Sequence, residues 1–247
     1  MRHFYLKITL IFFFAFVTST SLSAQDDGFM VIDQEGEVEK PPRFIASIYY
    51  NALFPQARFK ENLNTTYHGV GADLLYRFNR KAPIYIGLGL NGFIGPREST
   101  EYQEEIDGEF FTTREITSVN IVNANVLVRF MPDLYRWYEP FGEFHIGYKF
   151  LFTLTEFIDV DADDVFDSFF EETDFSLSFG LGGGCNFYFF NNAVKITTKI
   201  TYSKGLAGNY HVRNSSAVNP SNPLDYFEVR TSATDAIIFQ LGAVINF

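Results

Sequence analysis

From Ile237 to Phe247 the chain sorts its side chains by parity, with Ile237, Phe239, Leu241, Ala243, Ile245 and Phe247 on one side and Gln240, Gly242 and Asn246 on the other. A β-strand gives each set its own face. A shift of one residue would destroy the sorting. Upstream, Phe44, Ala46, Ile48, Tyr50, Ala52 and Phe54 oppose Arg43, Ser47, Tyr49 and Asn51, and Val70, Ala72, Leu74, Tyr76 and Phe78 oppose Gly69, Gly71, Asp73 and Arg77. The third and fourth segments set Ile84, Ile86, Leu88, Leu90 and Ile94 against Tyr85, Gly87, Gly89 and Asn91, and Val122, Ala124, Val126, Val128 and Phe130 against Asn123, Asn125 and Arg129. The fifth has the strongest contrast, Phe144 to Phe152 in even positions against Glu143, His145, Gly147 and Lys149. Phe175, Leu177, Phe179, Leu181 and Phe187 mark the sixth, and Val194, Ile196, Thr198, Ile200 and Tyr202 oppose Lys195, Thr197, Lys199 and Thr201 in the seventh.

A soluble sandwich also alternates, so the charges on the polar faces decide between architectures. Arg43, Arg77, Arg129, Lys149, Lys195, Lys199, Asp73 and Glu143 all fall there. A dry sandwich core would not tolerate them, whereas a closed transmembrane barrel turns them to its lumen and its apolar stripes to lipid, with every backbone group paired. Short links at Asn79–Pro83, Met131–Tyr138 and Phe189–Asn192 alternate with long ones at 55–65, 95–115, 153–173 and 204–233. The expected fold is therefore an all-β, up-and-down antiparallel barrel of eight strands, with tight periplasmic turns, long extracellular loops and both termini in the periplasm. The 30 Phe and 14 Tyr against one Trp suit lipid contact. Tyr50, Phe54, Phe78, Phe130, Phe150, Phe175, Phe187 and Tyr202 are expected in the two interfacial girdles.

The first residues read as a cleaved secretory leader over 1–24, with Arg2 and Lys7, an apolar run from Ile8 to Val17, and small residues ending at Ala24. That run is too short to span a bilayer as a helix. No cysteine follows it for lipid attachment, and the one cysteine, Cys185, cannot form an intrachain disulfide. An acidic periplasmic tail follows over 25–42, and the barrel domain over 43–247. A net charge of −11 argues against a nucleic-acid partner. The acids concentrate at 25–39, 98–115 and 156–174, in the tail and two of the long loops.

With its leader ending Ser23-Ala24-Gln25, its alternating hairpins and its ending Leu241-Gly242-Ala243-Val244-Ile245-Asn246-Phe247, the chain resembles the small OmpA/OmpX-type outer-membrane barrels over about 43–247. The resemblance implies an integral bacterial outer-membrane protein whose terminal Phe247 is the assembly signal read by the barrel-insertion machinery. No appended peptidoglycan-binding segment is seen.

The candidate site is the lumen. Asp73, Arg77, Arg129, Glu143, His145, Lys149, Lys195 and Lys199 form either a polar network or a small-ligand pocket, over a strip of small residues, Ser176, Ser178, Gly180, Gly182 and Gly184. A mutually satisfied plug is favoured, because eight strands enclose little more than side chains. The acidic tail could reach Arg77, Arg129 or Lys195. Asp159 to Asp164 invites comparison with a calcium loop, but Asp164 stands where the turn glycine belongs and Phe170 where the bidentate glutamate belongs, so no metal or cofactor is assigned. His68, His145 and His211, the last near Ser215 and Ser216, have no spacing that pairs a nucleophile with its base, and no catalytic residue is assigned. Long loops bearing Phe110-Phe111, Phe169-Phe170 and Tyr226-Phe227 suit a structural or interaction role with an envelope or secretion protein. A small anion-preferring pore is the alternative, with a lipid-modifying enzyme third.

Overall fold

The computed structural model describes residues 42–63, 65–79, 81–106, 109–132, 138–160, 164–189, 194–213 and 227–247. The leader, the acidic tail up to Pro41, Asp161, Asp163, Ser215, Ser216 and Tyr226 lie outside the described residues. The strands are β1 (Phe44–Pro55), β2 (Tyr67–Tyr76), β3 (Ile84–Ile106), β4 (Glu109–Phe130), β5 (Tyr138–Asp159), β6 (Asp164–Phe189), β7 (Val194–Gly205), β8 (Ala207–Arg213), β9 (Phe227–Ala233) and β10 (Ala236–Asn246), with one short helix, α1 (Ala57–Leu63). Eight of the strands close in the order β1-β10-β7-β6-β5-β4-β3-β2, antiparallel throughout. The first and last barrel strands make the closing pair, from Ile45 opposite Asn246 to Pro55 opposite Ala236.

The parity read from the sequence fixes the two faces. Ile48, Tyr50, Val70, Leu74, Leu88, Leu90, Leu181, Ile200 and Leu241 stand exposed on the outside, while Asp73, Arg129, Glu143 and Lys199 are buried inside. The ten steps from Ile84 to Ile94, at about 3.4 Å each and a tilt of about 40°, raise this apolar belt about 26 Å, the height of an outer-membrane hydrocarbon band. Aromatics gather at both of its edges. At the short-turn edge Phe44 packs on Tyr76 and Tyr76 on Phe78, at ring separations of 4.7 and 4.8 Å. At the opposite edge Phe150 meets Phe175 at 4.9 Å, and Tyr50 stacks beside His68.

Three expectations need correction. Segments 95–115 and 153–173 are largely not loops, because β3 to β6 run to 22–26 residues each. β1, β2, β7 and β10 have 10–12, close to what a tilted strand needs to cross. Above the belt both faces of a strand meet water, so alternation fades although backbone pairing continues. Connection 55–65 holds α1, and 204–233 holds the β8–β9 hairpin. Arg43 precedes β1 and is exposed at the short-turn rim instead of facing the lumen, because β1 begins only at Phe44.

The departure from the barrel wall has a local cause. The β3–β4 register shifts between Ile94 and Arg97, around Gly95 and Pro96, and β2 pairing ends at Ile94. Pro96 has no N–H to give a ladder, so a bulge at the sheet edge suits it. Because β4 and β5 pair without interruption from Thr113 opposite Asp159 to Phe130 opposite Gly142, the two long hairpins form one four-stranded sheet beyond the belt.

The closing pair yields a direct test. Gly242 lies opposite Tyr49, and a Cβ there would stand 1.9 Å from the Ile48 carbonyl oxygen. Gly242→Ala is expected to destabilise the barrel by about 1–3 kcal/mol, seen as a lower temperature for conversion of the compact gel band to the unfolded one. An unchanged conversion temperature would contradict this register.

Candidate functional site

Four charged side chains from four strands meet in the middle of the lumen. Arg129 on β4 donates from Nε to Glu143 Oε2 at 2.8 Å and from Nη2 to Asp73 Oδ2 at 2.9 Å. Lys199 on β7 donates to the same Asp73 oxygen at 2.9 Å and to Glu143 Oε1 at 3.0 Å. The four side chains are at most 3 % exposed. Two cations and two anions therefore neutralise one another where water cannot, the one condition under which a narrow lumen can hold charge. Aromatic faces complete the shell: the Arg129 guanidinium lies 4.3 Å from the Phe141 ring centre, and Lys199 Nζ lies 4.8 Å from that of Tyr49.

The other four candidate residues do not join this quartet. Arg77 turns toward the short-turn end, donating to the Ala82 carbonyl at 2.8 Å and to Tyr85 Oη at 3.1 Å, and so holds the β2–β3 turn. Lys195 bonds Glu139 Oε2 at 2.7 Å and lies over the Tyr188 ring. His145 Nε2 is 3.3 Å from Ser203 Oγ. Lys149 sits nearer the opposite mouth and donates to the Thr234 carbonyl at 2.5 Å and to that of Ser203 at 3.4 Å. The expected convergence over β6 is thus confined to Glu143, Lys199 and His145. Successive inward positions two residues apart are separated by about 7 Å along a strand, which spreads Lys195 and Lys149 to different levels. The strip of small residues is itself covered, since Cβ atoms at Gly180, Gly182 and Gly184 would strike His145, Thr201 and Phe141 at 2.5–2.6 Å.

The inner face is also less polar than expected. Toward the short turns, Ile45, Leu75, Tyr85, Leu127, Met131, Phe141 and Val244 form an apolar layer. Toward the other mouth, Leu53, Tyr67, Phe93, Ile121, Leu151 and Ile238 form a second, completed by Phe59 of α1 and Tyr210 of β8. Phe59 meets Tyr210 edge-on at 5.2 Å, Asn62 donates to Tyr210 Oη at 2.6 Å, and Arg230 of β9 donates to Asn62 Oδ1 at 3.0 Å. Helix and hairpin together cap the mouth. Beside the quartet, Gln240 donates to Asn51 Oδ1 and Asn91 Oδ1 at 2.9 and 3.0 Å, and Asn51 donates to Asn91 Oδ1 at 2.9 Å.

Glu139, Ser203, Thr234 and the amide trio belong to this interior but were absent from the candidate set. Parity could have found Glu139, which precedes Glu143 in the same inward register; Asn51, Asn91 and Gln240 carried the right parity but no charge. Among histidines, His68 bonds Tyr50 Oη at 2.7 Å on the exposed outer side, and His211 lies on β8, 3.4 Å from Thr153 Oγ1. Among the described residues, no three His, Cys, Asp or Glu side chains are grouped to hold a metal ion.

The closed eight-stranded wall, with an apolar outside and a charged inside, is the architecture of the small outer-membrane barrels. No known family profile and no characterised sequence matches the chain. Among solved structures it is similar to the outer membrane protein OprG from Pseudomonas aeruginosa, at 13% identity over 85% of this chain and 97% of that one, with a TM-score of 0.44. It is also similar to a major outer membrane protein from Thermus thermophilus, at 14% identity over 82% and 99% of the two chains and a TM-score of 0.42. A third is Neisserial surface protein A, at 10% identity over 83% and 96% and a TM-score of 0.38.

Breaking the quartet leaves buried charge without compensation. Arg129→Ala or Lys199→Ala is expected to cost about 3–5 kcal/mol of folding stability, measured by urea unfolding in lipid vesicles. Lys199→Met combined with Asp73→Leu is expected to cost less than the sum of the two single changes; strict additivity would show that the quartet does not act as a unit.

Proposed function

We propose that the protein is an integral outer-membrane barrel whose role is structural and interactive: a plugged barrel anchors a four-stranded sheet that contacts another envelope or secretion component. In this reading the short turns and both termini face the periplasm, the leader directs export, and Phe247 closes the strand that the insertion machinery reads. The observation that carries it is the contrast between a filled lumen and an extended sheet. The interior holds the quartet between two apolar layers, while β3 to β6 continue as paired strands past the lipid belt, β3 by about 40 Å of chain beyond Ile94.

The sheet is suited to contact. From Arg97 to Ile106, β3 pairs only with β4 among the described residues, so its outer edge presents backbone donors and acceptors to a partner. Segments 97–115 and 153–174 hold 16 Asp and Glu against two Arg and no Lys, which favours a partner with basic side chains. The aromatic pairs Phe110-Phe111 and Phe169-Phe170 lie in these hairpins, although their side chains lie outside the described residues.

The geometry gives less support to the anion pore. Its selectivity rested on lumenal cations, yet Arg129 and Lys199 are bonded to Asp73 and Glu143, and Lys195 to Glu139. A lipid-modifying activity has no carrier in the geometry of His68, His145 or His211, and the reading proposed is non-catalytic.

Removing Glu98–Thr117 and joining Arg97 to Ser118 through an Asn-Gly turn is the test. The shortened protein is expected to keep its heat-modifiable gel mobility and its outer-membrane fractionation while losing the partner cross-linked by the intact chain in whole cells. The same cross-linked products from both proteins would sink the interaction role.

A further inference from the structure

Between the ion quartet and the capped mouth, the lumen keeps one small chamber. Asn123, Asn125, Glu143, His145, Lys199 and Thr201 are among the residues that line it. Its volume is about 20 Å³, room for about one water molecule. Asn123 Oδ1, Asn125 Oδ1 and Thr201 Oγ1 have no hydrogen-bond partner among the described residues. Asn123 is 1 % exposed and Thr201 5 %, so bulk solvent does not satisfy them. An orphaned buried polar group is costly, and three lining one chamber point to a ligand that supplies the missing bonds.

We propose that this chamber is a binding site for a single long-lived water molecule, which donates to Asn123 Oδ1 and Asn125 Oδ1 and bonds the Thr201 hydroxyl. The chemistry selects water over the other small candidates. A cation would sit beside Lys199, whose charge and that of Arg129 already balance the two carboxylates. An anion would face two amide oxygens. Water brings two donors for those oxygens and lone pairs for the Thr201 hydroxyl, about the three bonds a buried water usually makes. Bound there, it bridges β4, through Asn123 and Asn125, to β7, through Thr201, strands that are not neighbours in the barrel wall. The apolar layers at both ends seal the site and make exchange slow. The proposal concerns the interior alone and stands apart from the partner-binding role of the sheet.

The test is nuclear magnetic resonance on the full chain, refolded into lipid nanodiscs with labelled asparagine side chains. Water cross-peaks to the Asn123 and Asn125 side-chain amides are expected, with nuclear Overhauser and rotating-frame effects of opposite sign, the mark of a water held longer than molecular tumbling. Asn125→Leu, which fills the chamber with carbon, is expected to remove the Asn123 cross-peak. Wild-type protein without these cross-peaks would mean a dry chamber and overturn the proposal. Amide shifts that follow sodium or chloride concentration against a choline or gluconate control would also overturn it, in favour of an ion. The wild-type measurement decides even if the variant does not fold.

Discussion

The ion quartet of Asp73, Arg129, Glu143 and Lys199 is the interaction on which the interior depends. Eight strands enclose too little space to hydrate four charges separately, so each carboxylate must accept from both cations. That requirement ties together β2, β4, β5 and β7, strands spread around the whole wall. The gain is specificity of register as much as stability: a one-residue slip of any of these strands would turn a charge into lipid and leave its partners uncompensated.

On either side of the charges, apolar side chains take over the inward positions. This layering explains why the mouth can be closed by so little. Phe59 is the one buried residue of α1, and it caps a socket already lined by Leu53, Tyr67, Phe93, Ile121, Leu151 and Ile238. The wall is lopsided as a result of its strand lengths. On the side of β7, β10, β1 and β2 it ends near the rim beneath helix and hairpin, while on the side of β3 to β6 it continues as a sheet. A filled barrel with a one-sided extension is an anchor for a surface rather than a conduit.

Much of this was legible in the sequence because lipid and lumen impose unlike demands on neighbouring residues. Parity alone placed Asp73, Arg129, Glu143 and Lys199 inside and set the β1–β10 closure. It could not say which charges meet, because height along the barrel axis depends on strand stagger: Lys195 and Lys199 share a face but bond different carboxylates. Nor could it show the ends of β3 to β6, where both faces are wet and the alternation that marks a strand disappears. α1 was hidden for a related reason, since a helix of two turns with one buried residue has no periodicity to read. The apolar inward residues were passed over because Leu53, Ile121 and Ile238 sit among polar positions whose charges drew the eye first.

Single-channel recording of the purified full chain in planar bilayers tests the plugged lumen most directly. With the quartet and both apolar layers in place, the membrane is expected to carry no current steps above background at either polarity. Reproducible steps of uniform size from the unaltered protein, with a reversal potential displaced from zero in a salt gradient, would contradict it.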